Sequence, residues 1–281
     1  MERKAEMSDG RGAGGILGPA LLFCPADRPD RYQKAALAAD TVILDLEDAV
    51  AMDAKASARD SLVRSDLDPA RTMVRLNPAN GAEFGKDMAA LARTRYRTVM
   101  LAKAETLDDL EQLTDLFVVA LCESPLGVRN AGLLADHPRV VALMWGAEDL
   151  VAGLGGSSSR GTDGRYRDVA RYARSQVLIA AGAAGKQAYD AVHLDIADLI
   201  GLRDEAQDAA ASGFSGTVCI HPTQVSVVRS AYRPSAESLA SAREILEAAA
   251  GAPNGVFAFR GRMIDEPILR QARQLVARMS D

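Results

Sequence analysis

The sequence predicts an α/β fold, a single (β/α)8 TIM barrel with a C-terminal helical extension, and three observations lead there. Eight short, β-branched, nearly continuous apolar runs recur at 19–25, 41–47, 72–77, 98–105, 118–124, 140–146, 190–196 and 216–222. Such runs belong to parallel strands covered on both faces. Between them lie Ala- and Leu-rich stretches with i, i+3, i+4 spacing, such as RYQKAALAAD, FGKDMAALARTR and LRDEAQDAAASG, so each strand feeds a helix. Ionisable and polar residues gather where the runs end rather than where they begin, as a barrel with its chemistry at the C-terminal mouth requires. Five or six strands would mark an open doubly wound sheet; eight close a barrel.

The elements follow in order. Residues 1–15 carry charges and glycines without the apolar stretch of a secretory signal, and read as a flexible leader. Run one, PALLFCP, leads into ADRPDRYQK. There Arg28, Arg31 and Lys34 open the first helix and suit a phosphate group, or simply a solvated helix face. Run two ends in Asp45, Glu47 and Asp48, run three in Arg75 and Asn77, and run four in Lys103 and Glu105. Run five ends in Glu123 and Ser124, run six leads to Glu148 and Asp149, run seven to His193 and Asp195, and run eight to His221. The Gly/Ser-rich stretch at 150–167 reads as a mobile, lid-like connection. The barrel domain is expected over 16–234. The extension over 235–281 holds a helix (SAESLASAREILEAAA), a strand-like run (GVFAFRGRMID) and a last helix from Pro267. It is expected to pack on the barrel or on a neighbouring subunit.

Composition narrows the function. A 48% hydrophobic content supplies a large core and excludes a mostly disordered chain. The net charge of −5 argues against a nucleic-acid-coating protein, and no apolar stretch reaches the 18 or so residues of a membrane helix. Cys24, Cys122 and Cys219 stand singly in apolar runs, which suits reduced thiols in the cytoplasm and neither a disulfide framework nor a zinc site. No phosphate-binding P-loop, nucleophile elbow or dinucleotide fingerprint is present.

At the expected mouth the carboxylates outnumber the cations, and uncompensated negative charge in a cleft is costly. A hard divalent cation relieves it, and Mg²⁺ takes one or two protein carboxylates, leaving its other positions to water and substrate. Glu123 and Asp149, on adjacent strands, are sensible ligands; pairing with a lysine or arginine is the plainer alternative. Arg75, inside an apolar strand, must be paired. Either its planar fork takes a substrate carboxylate or enolate oxygen, or it bridges to Asp45 or Glu47. Our preferred role for Asp45 and Glu47, with Asp48 beside them, is to orient Arg75 from behind.

The segments LFCPADRPDRYQKAALAADTVILDLEDAV, VRLNP, CESPLG, WGAEDL, CIHPTQ and GRMIDEP, in this order, resemble the citrate lyase β-subunit-like (CitE-like) proteins. That family includes malyl-CoA and citramalyl-CoA lyases within the HpcH/HpaI aldolase superfamily. The resemblance runs from about Leu21 to the last helix. It implies a Mg²⁺-dependent retro-Claisen lyase acting on β-hydroxyacyl-CoA thioesters, with metal ligands at Glu123 and Asp149 and a substrate-binding arginine at Arg75. It implies a catalytic aspartate at Asp265, supplied across subunits of a homotrimer or hexamer, and CoA contacts at Lys34, Ile220 and His221. Two other readings remain: a β-subunit acting on an acyl-carrier-protein thioester inside a citrate-lyase-like complex, and a free-acid class II aldolase.

Overall fold

In a computed structural model of the chain, residues 16–251 and 256–277 are described; the expected leader at 1–15 lies outside them. The chain divides into two compact units, the second beginning at Arg229.

In the first unit, eight strands close into a barrel in sequence order: β1 (Ala20–Pro25), β2 (Thr41–Asp45), β3 (Thr72–Leu76), β4 (Thr98–Leu101), β5 (Phe117–Cys122), β6 (Val140–Trp145), β7 (Gln187–Asp190) and β8 (Gly216–Cys219). Every neighbouring pair is parallel, and β8 closes on β1 with Leu21 opposite Val218. The connections carry α1 (Tyr32–Ala38), α2 (Lys55–Val63), α3 (Phe84–Leu91), α4 (Leu107–Glu111), α5 (Pro125–Arg129), α6 (Ala131–Asp136), α7 (Ala147–Gly153), α8 (Asp168–Ala183) and α9 (Leu199–Ser212), and α10 (Pro222–Tyr232) follows β8. This is the (β/α)8 barrel the sequence predicts.

The barrel interior is a packed core. Leu21, Ile43, Met73, Met100, Val119, Ala142, Tyr189 and Val218, one from each strand, form one buried cluster with Ile16, Leu121 and Met144. Fully burying a side chain of the Leu, Ile or Met size is worth about 1.5–3 kcal/mol. Successive strand residues face opposite sides of a sheet, so the next inward position on each strand lies two residues further on. From β1 to β8, counting two beyond Leu21, Ile43, Met73, Met100, Leu121, Met144, Tyr189 and Val218, these are Phe23, Asp45, Arg75, Ala102, Glu123, Gly146, Ala191 and Ile220. The inward layer therefore changes from apolar to partly charged toward the C-terminal mouth.

Two local expectations are corrected. The seventh strand is Gln187–Asp190, not 190–196. The buried Asp190 side chain ends it, taking the Trp145 indole N–H at 2.6 Å and the Arg174 guanidinium at 2.9 Å, so the apolar alternation of AVHLDI continues into a loop. The Gly/Ser-rich stretch at 150–167 is not a connection throughout: its first four residues belong to α7, and its second half makes defined contacts. Ser159 Oγ donates to Glu148 Oε1 at 2.6 Å, and Arg160 pairs with Glu205 while lying 3.8 Å from the Tyr166 ring centroid. Tyr166 meets the Trp145 ring edge-on at 5.2 Å.

The second unit holds α11 (Ala236–Ala250), capped by the Ser235 side chain, an antiparallel hairpin of β9 (Phe257–Phe259) and β10 (Arg262–Ile264), and α12 (Glu266–Ala277). Arg260 and Gly261 form the hairpin turn with positive φ of 48° and 75°, the pairing a two-residue hairpin favours.

Candidate active site at the barrel mouth

Seven of the eight inward positions nearest the mouth, all but Ala102, line one cavity of about 340 Å³. Asp48, Glu148 and Asp149 complete its charged wall, while Leu121, Met144, Val192 and Leu194 add apolar surface. Alternation along the strands thus delivers Asp45, Arg75 and Glu123 to one place.

Arg75 is held on one edge of its fork. Its Nε–H donates to Asp45 Oδ1 at 2.7 Å and its Nη2 to Oδ2 at 2.6 Å. Its Nη1 stands 3.4 Å from Glu47 Oε2, and the guanidinium covers the Phe23 ring at 4.5 Å. Asp45 also accepts the backbone N–H groups of Glu47 and Ala49, at 2.8 and 3.1 Å. Burial works to lower the Arg75 pKa, yet Asp45, Glu47 and Glu123 outweigh it and hold the group above its ordinary value. The bridge to Asp45 is therefore formed, in a residue that also lines the cavity.

Glu123 is only 4% exposed, and burial pushes its carboxyl up to about 8 against the pull of Lys103 and Arg75. Its Oε1 accepts the Lys103 backbone N–H at 3.1 Å. Gly146 makes room for it: a Cβ there would stand 2.8 Å from Glu123 Cβ and 2.9 Å from Oε2. Asp149 lies in the first turn of α7. The Lys103 ammonium reaches both acids, at 3.2 Å from Asp149 Oδ1 and 3.9 Å from Glu123 Oε1. It also lies 2.7 Å from Glu47 Oε1 and 3.8 Å from Asp48 Oδ2. Burial raises the Glu47 carboxyl pKa in spite of Arg75 and Lys103.

Glu123 and Asp149 thus face one point on one rim, where five carboxylates (Asp45, Glu47, Asp48, Glu123 and Asp149) meet two cations (Arg75 and Lys103). Among the described residues no three His, Cys, Asp or Glu side chains are grouped to hold a metal. A pair of hard carboxylate donors, with Gly146 leaving space beside one of them, fits Mg²⁺, which uses one or two.

The other expected residues divide, one in the cavity lining and the rest outside it. Ile220 lines the cavity, but Lys34 is exposed on α1 and is absent from the lining. His221 turns its Nδ1 to Thr223 Oγ1 at 2.8 Å, at the start of α10. Asp265 belongs to the second unit, where its carboxylate accepts the Ile268 N–H at 3.4 Å and caps α12. His193, expected at a strand end, is absent from the lining and pairs with Glu205 at 2.8 Å. A cleft of about 430 Å³ within the second unit is larger, but no carboxylate or histidine lines it, so it lacks the chemistry of the mouth. Lys103 is the residue that sequence reading undervalued. A lysine ending a strand among acidic strand ends was visible, but its reach to four of them was not.

The comparisons with known proteins give the family and the fold. Residues 20–222 match the family HpcH/HpaI aldolase/citrate lyase. The chain is 54% identical to a citrate lyase subunit beta-like protein of Mycobacterium tuberculosis, over 94% of this chain and 96% of that one. It is 30% identical to the mitochondrial citramalyl-CoA lyase of Homo sapiens, over 92% and 84%. Its fold superposes on a crystal structure of CitE from Mycobacterium tuberculosis in complex with magnesium, acetoacetate and coenzyme A, with a TM-score of 0.91 and 54% identity over 94% of this chain and 99% of that one. The chain belongs to the HpcH/HpaI aldolase/citrate lyase family.

Proposed function

We propose that this protein is a magnesium-dependent carbon–carbon lyase. It cleaves a β-hydroxyacyl-CoA thioester, such as citramalyl-CoA or malyl-CoA, to acetyl-CoA and a 2-oxo acid. The observation that carries the reading is the convergence of buried Glu123, Asp149 and the anchored Arg75 in one cavity. Likeness to a citramalyl-CoA lyase and to a CitE complex holding magnesium and coenzyme A supports the substrate class.

Glu123 and Asp149 would hold the magnesium ion, which supplies Lewis-acid polarisation of the oxygens of the acid fragment. Arg75, fixed by Asp45 before substrate arrives, presents the rest of its fork to oxygen charge that grows as the carbon–carbon bond breaks. Preorganised donors of this kind need no rearrangement at the moment of reaction. Asp45, Glu47 and Asp48 hold Arg75 and Lys103 in place. Asp265 would deliver a proton to the enolate carbon of the departing acetyl-CoA, and remove it in the reverse direction. Lys34, Ile220 and His221 would contact the CoA moiety. The site would be shared between subunits of a homotrimer or hexamer. Cys24, Cys122 and Cys219, buried as thiols rather than joined in disulfides, support a reducing, cytoplasmic setting.

The test is a mass-spectrometric screen of the purified protein with Mg²⁺ against a panel of β-hydroxyacyl-CoAs, the matching pantetheine esters and the free acids. Equimolar acetyl-CoA and 2-oxo acid from the CoA esters is expected, and none in EDTA. Cleavage of free acids, unaffected by added CoA, would replace the reading with a free-acid aldolase. Inertness until an acyl-carrier-protein thioester is supplied would replace it with a complex subunit. Free CoA with the acyl chain intact would mean thioester hydrolysis.

A further inference from the structure

We propose that the Lys103 ammonium is a built-in counter-cation that occupies the carboxylate pair until a divalent cation arrives, so that metal binding must displace it. The inference rests on the reading of Glu123 and Asp149 as metal ligands.

The ammonium lies within 4 Å of both, at 3.2 Å from Asp149 Oδ1 and 3.9 Å from Glu123 Oε1. The oxygens that would accept a divalent cation are thus already bridged by a monovalent one. The shortest contact of the ammonium is already a hydrogen bond to Glu47 Oε1 at 2.7 Å, with Asp48 Oδ2 3.8 Å away, so it keeps partners when it leaves the pair. A flexible four-carbon stem lets a lysine move its charge between such neighbours, as a planar, bidentate arginine would not. Arg75, by contrast, is fixed by two hydrogen bonds to Asp45.

The backbone tells the same story. Lys103 has φ of +51°, one of three non-glycine residues with positive φ among those described. That left-handed conformation costs a side-chain-bearing residue free energy, and such outliers cluster at functional sites. At this strained position the Lys103 N–H donates to Glu123 Oε1 at 3.1 Å. One residue therefore anchors Glu123 by its backbone and sets its side-chain charge beside both acids. Like charges repel strongly at a few ångströms in a partly buried site, so an ammonium and a divalent cation cannot both stay in close contact with Asp149 without loss of affinity.

Mn²⁺ titration of the metal-free protein, read by electron paramagnetic resonance of the free ion, separates the possibilities. The wild-type protein and Glu123→Gln test the underlying reading: one Mn²⁺ per wild-type chain, and none for the variant, uphold it. If the wild-type chain binds no Mn²⁺, the ligand assignment fails before the inference is reached. Given wild-type binding, Lys103→Met is expected to bind Mn²⁺ at least tenfold more tightly and to melt at a lower temperature in EDTA. Lys103→Arg should show no gain. Lys103→Gly, which also relieves the left-handed backbone, serves should the methionine variant fail to fold. Unchanged or weaker Mn²⁺ binding in the uncharged variant that folds would overturn the proposal and make Lys103 a support for the metal.

Discussion

At Glu123, burial opposes the pull of Lys103 and Arg75 and wins, leaving the carboxyl protonated up to about pH 8 in the metal-free protein. In an unfolded chain the same group titrates near about 4.3. Between those values the folded state binds more protons, so this residue's contribution to stability is full below about 4.3 and is lost as pH rises toward 8. Glu123→Gln removes the dependence. Its melting temperature in EDTA, minus that of the wild type, should rise by several degrees from pH 5 to pH 9; a constant difference would contradict the assignment. Asp45→Ala leaves the buried Arg75 without its two short hydrogen bonds. Loss of one partner of a buried pair costs about 3–5 kcal/mol, which urea unfolding should register. Arg75→Lys keeps the charge but loses the two-pronged geometry, so it should retain most of the stability while kcat falls by at least about tenfold.

At the scale of elements, the junction of β6 and α7 decides whether Glu123 can point into the mouth. Gly146→Ala places a methyl group 2.8 Å from Glu123 Cβ. It should weaken Mn²⁺ binding at least tenfold and destabilise by about 1–3 kcal/mol, as overpacking does. Gly182→Ala on α8 meets nothing within 4 Å and should stabilise by about 0.4–1 kcal/mol. The pair of melting curves checks both signs. Much of this architecture was legible in the sequence. Seven strands lie near their expected positions, and the two-residue period carries Asp45, Arg75 and Glu123 to the mouth without reference to coordinates. Strand β7 was not legible, because Asp190 closes it through Trp145 and Arg174, partners 45 and 16 residues away. The tethered Gly/Ser stretch escaped for the same reason: composition records its glycines but not the pairing of Arg160 with Glu205.

At the scale of the molecule, no helix among the described residues is long and apolar enough to cross a membrane. The two units divide the proposed chemistry, with the carboxylates in the first and Asp265 in the second. If the site is completed across subunits, Glu123→Ala and Asp265→Ala should each lack activity as pure proteins. Unfolded, mixed and refolded together, they should regain a measurable fraction of wild-type turnover, because some mixed sites carry neither change. Absence of any recovery, with light scattering showing mixed oligomers, would place Asp265 in its own chain's site or outside it.

The most direct measurement is anomalous diffraction from crystals of the protein soaked in Mn²⁺. One strong peak at about 2.0–2.2 Å from a carboxylate oxygen of Glu123 and one of Asp149 is the predicted result, in keeping with small octahedral ions on oxygen ligands. No peak at the mouth, or a peak bound by neither acid, would contradict it.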